Sequence, residues 1–428
     1  MNFFCRSLLL GVGLCVSFAA GAVHSENFEY NGYFRASTGT NSKGGDQECF
    51  TNSGTTGNEF RLGNECSIYG EAAFTAHHLK AQGETDPFFK STIRLAYISP
   101  GHAAYEGTNE ELHLTEAFVK GGRFHDTPYT FWAGKRFYRG PDLYMNDWWY
   151  WGNTIGNGAG VEDVPLGFGQ LALAQIRQIG TTQSDVGRHG LTLWDARVSK
   201  IEVTENTELE VWLGYAHAPN GTSGATIYEK ATGYVAGTKF HTKLGEGFNI
   251  ALLVAGQGLM ESLELSGDTA PVKNVSTQDK AQRLRIADHW THFVPDSKWA
   301  FHLMAMHEQW DTGADTDSAG TWTGIGVHPV YFLTDHVHLT GQVGFSQVEI
   351  ESEKDGMGDP LGARTLIRAT VAPQLAINRS VWGRPVLRAF YTHSWWNKEN
   401  KAKIATGAPA YADLTSGGAY GFQAEVWF

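Results

Sequence analysis

Past its first 22 residues this 428-residue chain has no run of about 18 apolar residues, so no segment there can cross a bilayer as a helix. Charge is sparse at 18% against 42% hydrophobic residues, which leaves ample apolar surface to bury or to turn toward lipid. Positive charge is the scarcer sign. The formal balance of −12 argues against a nucleic-acid partner. Cysteine is nearly absent, with four residues, and Cys5 and Cys15 lie in the leading segment. That segment reads as a secretory signal over residues 1–22: Arg6 near the start, an apolar core from Leu8 to Phe18, and a small-residue cleavage site at Ala20-Gly21-Ala22. A lipoprotein signal at Cys15 is disfavoured, because Leu14 rather than a small residue precedes it. The mature part, 23–428, shows no linker or composition break and reads as one domain. Exported to an oxidising compartment, it keeps Cys49 and Cys66, expected to pair and close a loop near the N-terminus.

Catalytic and metal signals are equally thin. No nucleophile–base set stands out, so an outer-membrane lipase or protease is a distant alternative, and no cofactor is expected. Asp288, His289 and His292, or His336 with His338, suggest metal ligands, but no further ligand cluster accompanies them. Gly156-Asn157-Gly158-Ala159-Gly160 lacks the strand–loop–helix context of a phosphate cradle.

What is present is alternation. Near the C-terminus Gly418, Tyr420, Phe422, Ala424, Val426 and Phe428 share one parity, and Gly421, Gln423, Glu425 and Trp427 the other. Near the N-terminus Asn31, Tyr33, Arg35 and Ser37 oppose Tyr30, Gly32, Phe34 and Ala36. Residues 61–71 continue the pattern, with Arg61, Gly63, Glu65, Ser67, Tyr69 and Glu71 against Leu62, Ile68, Ala72 and Phe74. One apolar and one polar face per strand is what a barrel wall between lipid and a wet lumen requires. Short turns (204–207, 245–247, 295–298, 334–335, 378–380, and near 83–87, 121–128 and 164–167) alternate with long segments. The long segments fall near 38–60, 98–111, 138–157, 176–190, 216–230, 258–281, 310–320, 350–363 and 396–417. Nine long loops, one hairpin each, predict an all-β, eighteen-stranded antiparallel transmembrane barrel.

The stretch from Lys135 to Asp163 organises the rest. It sets Trp148, Trp149, Tyr150 and Trp151 between the carboxylates Asp142 and Asp147 and a glycine-rich exit, and suits a constriction loop folded into the pore. Four other aromatics break the parity rule. Trp427 shares a face with Gln423 and Glu425, Trp382 with Arg384 and Arg388, Tyr33 with Arg35, and Tyr69 with Arg61 and Glu71. Rings on a polar face fit a sugar, whose C–H faces stack on aromatics while its hydroxyls meet Arg and Glu. Most of the other aromatics suit interfacial girdles.

Over essentially its whole mature length the chain resembles the maltoporins, carbohydrate-specific outer-membrane porins. The resemblance is carried by GYFRAS at 32–37, EFRLGNECSIYGE at 59–71, FWAGKRFY at 131–138, MNDWWYW at 145–151, GAGVED at 158–163, GFGQLAL at 167–173, WGRPVLRAF at 382–390 and the terminal AEVWF at 424–428. It implies an outer-membrane homotrimer and passive diffusion of maltose or maltodextrins along an aromatic slide: Tyr33, Tyr69, Phe248, Trp382 and Trp427. The polar track would comprise Arg35, Arg61, Glu71, Asp142 and Asp147, and the loop disulfide Cys49–Cys66. Departures bear on the substrate. Trp149 stands where the family's narrowest point has tyrosine, Thr115 replaces a track arginine, and another falls on Gly140 beside Arg139. Tyr144 replaces a track histidine, and Tyr105 is the nearest match to the slide tryptophan lent by a neighbouring subunit. Pores for sucrose, β-glucosides or other oligosaccharides, a general diffusion porin, and a soluble lectin are the alternatives.

Overall fold

In the computed structural model of the chain, residues 27–57, 59–100, 111–179, 190–223, 226–265, 275–355 and 357–428 are described. The leading segment 1–22 and Tyr105 lie outside them. The wall begins with strands Phe28–Asn41, Ser67–Leu79, Phe88–Pro100, Glu111–Gly122, Thr130–Tyr138, Asn153–Pro165, Gln170–Ile179, Gly190–Thr204 and Thr207–Ala218. It continues with Ala231–Leu244, Gly247–Gly258, Gln282–Phe293, Trp299–Asp311, Ala319–Phe332, Val337–Ile350, Arg364–Ala376, Val386–Trp396 and Ser416–Trp427. Each of the eighteen is antiparallel to both neighbours. The last pairs with the first, from Tyr33 opposite Trp427 to Asn41 opposite Ala419, so the sheet closes without an edge. Phe428 adds two backbone bonds to Gly32, of 2.9 and 3.1 Å.

The period-two pattern explains the wall. Outward positions carry large exposed apolar groups, such as Phe422 (68%), Leu387 (60%) and Trp194 (55%), as a wall facing lipid does. Inward positions are buried, and at one end of the barrel Trp299, Phe301 and Tyr331 pack outward as an aromatic cluster beside the short turns. All eight expected turns occur at that end, and the described longer connections at the other.

The lumen is partly filled. Segments 42–66, 139–152 and 259–265 fold inward and pack with the far wall into one apolar cluster that includes Phe60, Met145, Trp151, Trp212, Leu263 and Trp322. Phe60 reaches the wall where Gly326 and Gly344 leave room; a Cβ on Gly344 would lie 2.3 Å from its ring. The two-residue strand Glu264–Leu265 runs parallel to Asn153 and Thr154 and ties its inward segment to the start of a wall strand. The Cys49–Cys66 disulfide closes segment 42–66.

Three expectations about local structure need correction. Residues 61–65 belong to the inward segment, since the strand starts at Ser67. Their apparent alternation arises in a turn, where Leu62 packs against Ala372 and Phe390. Trp382 and Arg384 lie in the turn between Ala376 and Val386, because Pro385 has no N–H to give a ladder and the strand begins after it. The constriction loop ends at Gly152, and Gly156, Gly158 and Gly160 form one face of strand Asn153–Pro165.

Candidate functional site

Across the lumen from the packed cluster lies a cavity of about 500 Å³. Strands Phe28–Asn41, Ser67–Leu79 and Ser416–Trp427 form its wall, and the loop 139–152 its opposite side. Tyr33, Tyr69, Trp382 and Trp427 all line it, together with Arg35, Arg61, Glu71, Arg139, Asp142, Tyr144, Asp147 and Trp149.

The aromatic row follows from register. Tyr33 stands directly opposite Trp427, and Arg35 opposite Tyr69, so three rings from three adjacent strands meet on the inner face. Tyr33 is 6.0 Å from Tyr69 and 6.5 Å from Trp427, nearly parallel to the latter at 22°. Arg384 covers Trp427 at 4.1 Å. Beyond it Trp382, projecting from its turn, stacks on Phe248 at 6.1 Å and 16°. Phe248 does not line the main cavity but a second one of about 420 Å³ on the other side of the loop, with Pro141, Lys239 and Glu210. Tyr144 stands at the divide, edge-on to Trp382 at 5.3 Å, its hydroxyl accepting from Arg384 at 2.8 Å.

Charges beside the row are buried, so each needs a partner. Arg61 reaches Glu65 and Glu425 at 2.9 Å and Asp147 at 3.4 Å; Arg35 pairs with Glu65 at 2.6 Å and with Asp147. Glu425 also takes Arg384 at 2.8 Å and Arg388 at 3.0 Å. On the other side of Tyr69, whose hydroxyl donates to Glu71, Arg94 bridges Glu71 (2.7 Å) and Glu116 (2.6 Å). Alternation brings Glu425 to this face. The Arg94–Glu116 pair carried no sequence signal, because Thr115 sits in a β-bulge that resets the register there; its hydroxyl donates to the Arg94 carbonyl at 3.1 Å.

Arg139 differs from the other cations. Its guanidinium lies 3.3 Å from the Trp149 ring centre and 4.0 Å from that of Phe137, with no ion pair or hydrogen bond to a described residue. Asp142, three positions on, faces the same cavity and makes no side-chain ion pair among the described residues. Burial, and then the nearby Asp147 carboxylate, raise the Asp142 carboxyl above its ordinary range. The loop that presents these groups is pinned by Trp148 to Glu264 (3.3 Å), Trp151 to Glu210 (2.8 Å) and the Arg61 N–H to the Met145 carbonyl (2.9 Å).

The histidines singled out for metal binding do not converge. His289 faces inward while Asp288 and His292 face outward, and among the described residues no group of three or more His, Cys, Asp or Glu is placed to hold a metal ion.

A family model described as LamB porin matches residues 28–428, nearly the whole chain. The chain belongs to the LamB porin family. It is therefore a porin of the outer membrane, a channel rather than an enzyme. Solved outer-membrane proteins align with this LamB porin over most of their length at low identity. The outer membrane channel DcaP of Acinetobacter baumannii shares 10% identity over 95% of this chain and 99% of its own, with a TM-score of 0.49. OccD3 (OpdP) of Pseudomonas aeruginosa shares 10% over 94% and 91%, with a TM-score of 0.46. The family assignment rests on the match over 28–428 alone.

Proposed function

We propose that this LamB porin is sugar-selective, and that it gives facilitated, passive diffusion of maltose, maltodextrins or related oligosaccharides. The observation that carries the reading is the row Tyr69–Tyr33–Trp427 along one side of a charged cavity, continued by the stacked Trp382–Phe248 pair. Flat rings suit the C–H faces of pyranoses, and the flanking Arg35, Arg61, Glu71, Arg139, Asp142 and Asp147 suit their hydroxyls. Counting Arg35, Arg61, Arg94, Arg139, Arg384 and Arg388 against Glu65, Glu71, Glu116, Asp142, Asp147 and Glu425, six cations and six anions cancel. Such a balance favours neutral solutes over bulk ion sorting. Trp149 and Tyr144 act at the constriction. Several similar weak sites in series allow passage without trapping. The working assembly is a homotrimer, exported through a signal peptide spanning residues 1–22.

Ion current through the purified protein in a planar bilayer, titrated with maltose, maltohexaose, sucrose, cellobiose and raffinose, tests this. Saturable block by one sugar class is the expected result and identifies the substrate. Current that none of them blocks would leave a general diffusion porin.

A further inference from the structure

We propose that the constriction also takes acidic oligosaccharides, chains bearing a carboxylate, and that Arg139 is the residue that reads the carboxylate. The inference rests on the sugar-pore reading and extends its substrate class. The other cations flanking the cavity are each held by carboxylates, Arg35 and Arg61 by Glu65 and Asp147, and Arg94 by Glu71 and Glu116. Arg139 alone among them makes no direct ion pair with a described residue, with Glu71 and Asp142 acting on its charge only from a distance.

A half-buried guanidinium without a directly paired carboxylate is under-compensated, and an anionic ligand group relieves that cost. Burial already works against its charge, yet arginine keeps its proton. The stack on Trp149 and Phe137 fixes the plane of the group, so its N–H edge is oriented before a ligand arrives. That fork matches the two oxygens of a carboxylate. The nearby acids do not forbid it: Glu71 and Asp147 are each paired with arginines. The indole face that Arg139 covers is closed to a stacking sugar on that side, so this position offers hydrogen-bond donors.

The test compares maltose, maltitol and maltobionate in planar-bilayer current block. Maltitol and maltobionate share an opened terminal residue and differ chiefly in the carboxylate. In the wild-type protein at 0.1 M KCl, maltobionate should half-block at about a fivefold lower concentration than maltitol, the gain expected of a charge-assisted over a neutral hydrogen bond. The ratio should fall toward one at 1 M KCl and in Arg139→Gln, while Arg139→Lys retains part of it. The salt series needs no variant, so the inference stays testable if Arg139→Gln fails to fold, which its heat-modifiable migration in SDS gels would reveal. Equal block by maltobionate and maltitol, or a preference that survives Arg139→Gln, would overturn the inference while leaving the sugar pore intact. If none of the three blocks and the wider panel is also inert, both readings fall together.

Discussion

Strands Ser416–Trp427 and Ala319–Phe332 alternate alike, yet they turn different chemistry inward. The first turns Gln423 and Glu425 into a buried network of arginines and acids and Trp427 into an open cavity. The second presents Trp322, Gly324 and Gly326 to a dry mass of side chains from the inward segments, with Met145 and Phe60 seated on Gly326. Alternation decides which residues face inward, and only what fills the lumen decides whether they meet water. Large apolar groups and glycine hollows on one side gather the loops around buried pairs such as Arg285–Glu308, whereas on the other side arginines and acids line an open passage. The loop 139–152 divides the two, with Met145 and Trp151 in the packed half and Arg139, Asp142 and Trp149 along the open one.

The most damaging way to break this division is to remove the anion at the centre of the open half. Glu425→Ala strips Arg61, Arg384 and Arg388 of a shared, fully buried counter-ion. The expected loss is about 3–5 kcal/mol, read as a lower urea midpoint for unfolding. Overfilling the packed half comes next. Gly344→Val should push Phe60 out of its hollow at a cost of about 1–3 kcal/mol and loosen segment 42–66. Single-channel recordings should then show larger, noisier conductance, whereas an unchanged trace would mean that Phe60 does not hold the plug.

Within the open half, Trp427→Ala should raise the half-blocking sugar concentration about tenfold, with little effect on sugar-free conductance, because stacking is lost without a charge change. The smallest effect concerns pH. The Asp142 carboxyl is raised by burial and by Asp147, so on acidification it gains its proton at a higher pH than an ordinary carboxyl. Reversal potentials should therefore begin to shift toward anion preference above the usual carboxylate range, and Asp142→Asn should remove that early component.

Much of the wall was legible because lipid on one side and a lumen on the other force strict parity. The inward placement of Tyr33, Tyr69 and Trp427 followed from it, and the eight turns from the short breaks between strands. Residues that reach the cavity from irregular backbone were harder to read. Arg61 and Glu65 mimic a strand face from a disulfide-closed segment and Trp382 projects from a turn, so Arg61 and Trp382 line the cavity for a reason other than strand parity. Phe248 came through family resemblance, and its stack on Trp382 depends on a contact distant in sequence. Arg94 could not be found by spacing, since its bridge to Glu116 spans a bulge and joins three strands. The isolation of Arg139 is a property of its surroundings, invisible in the chain itself.

The central claim is that the open half carries sugar along its aromatic row. A structure of the protein with maltotriose bound tests it most directly. Glucosyl rings lying flat along Tyr69, Tyr33 and Trp427, with hydroxyls toward Arg35, Arg61 and Asp147, is the result expected. Sugar bound away from the row, or none at concentrations that block the current, would contradict it.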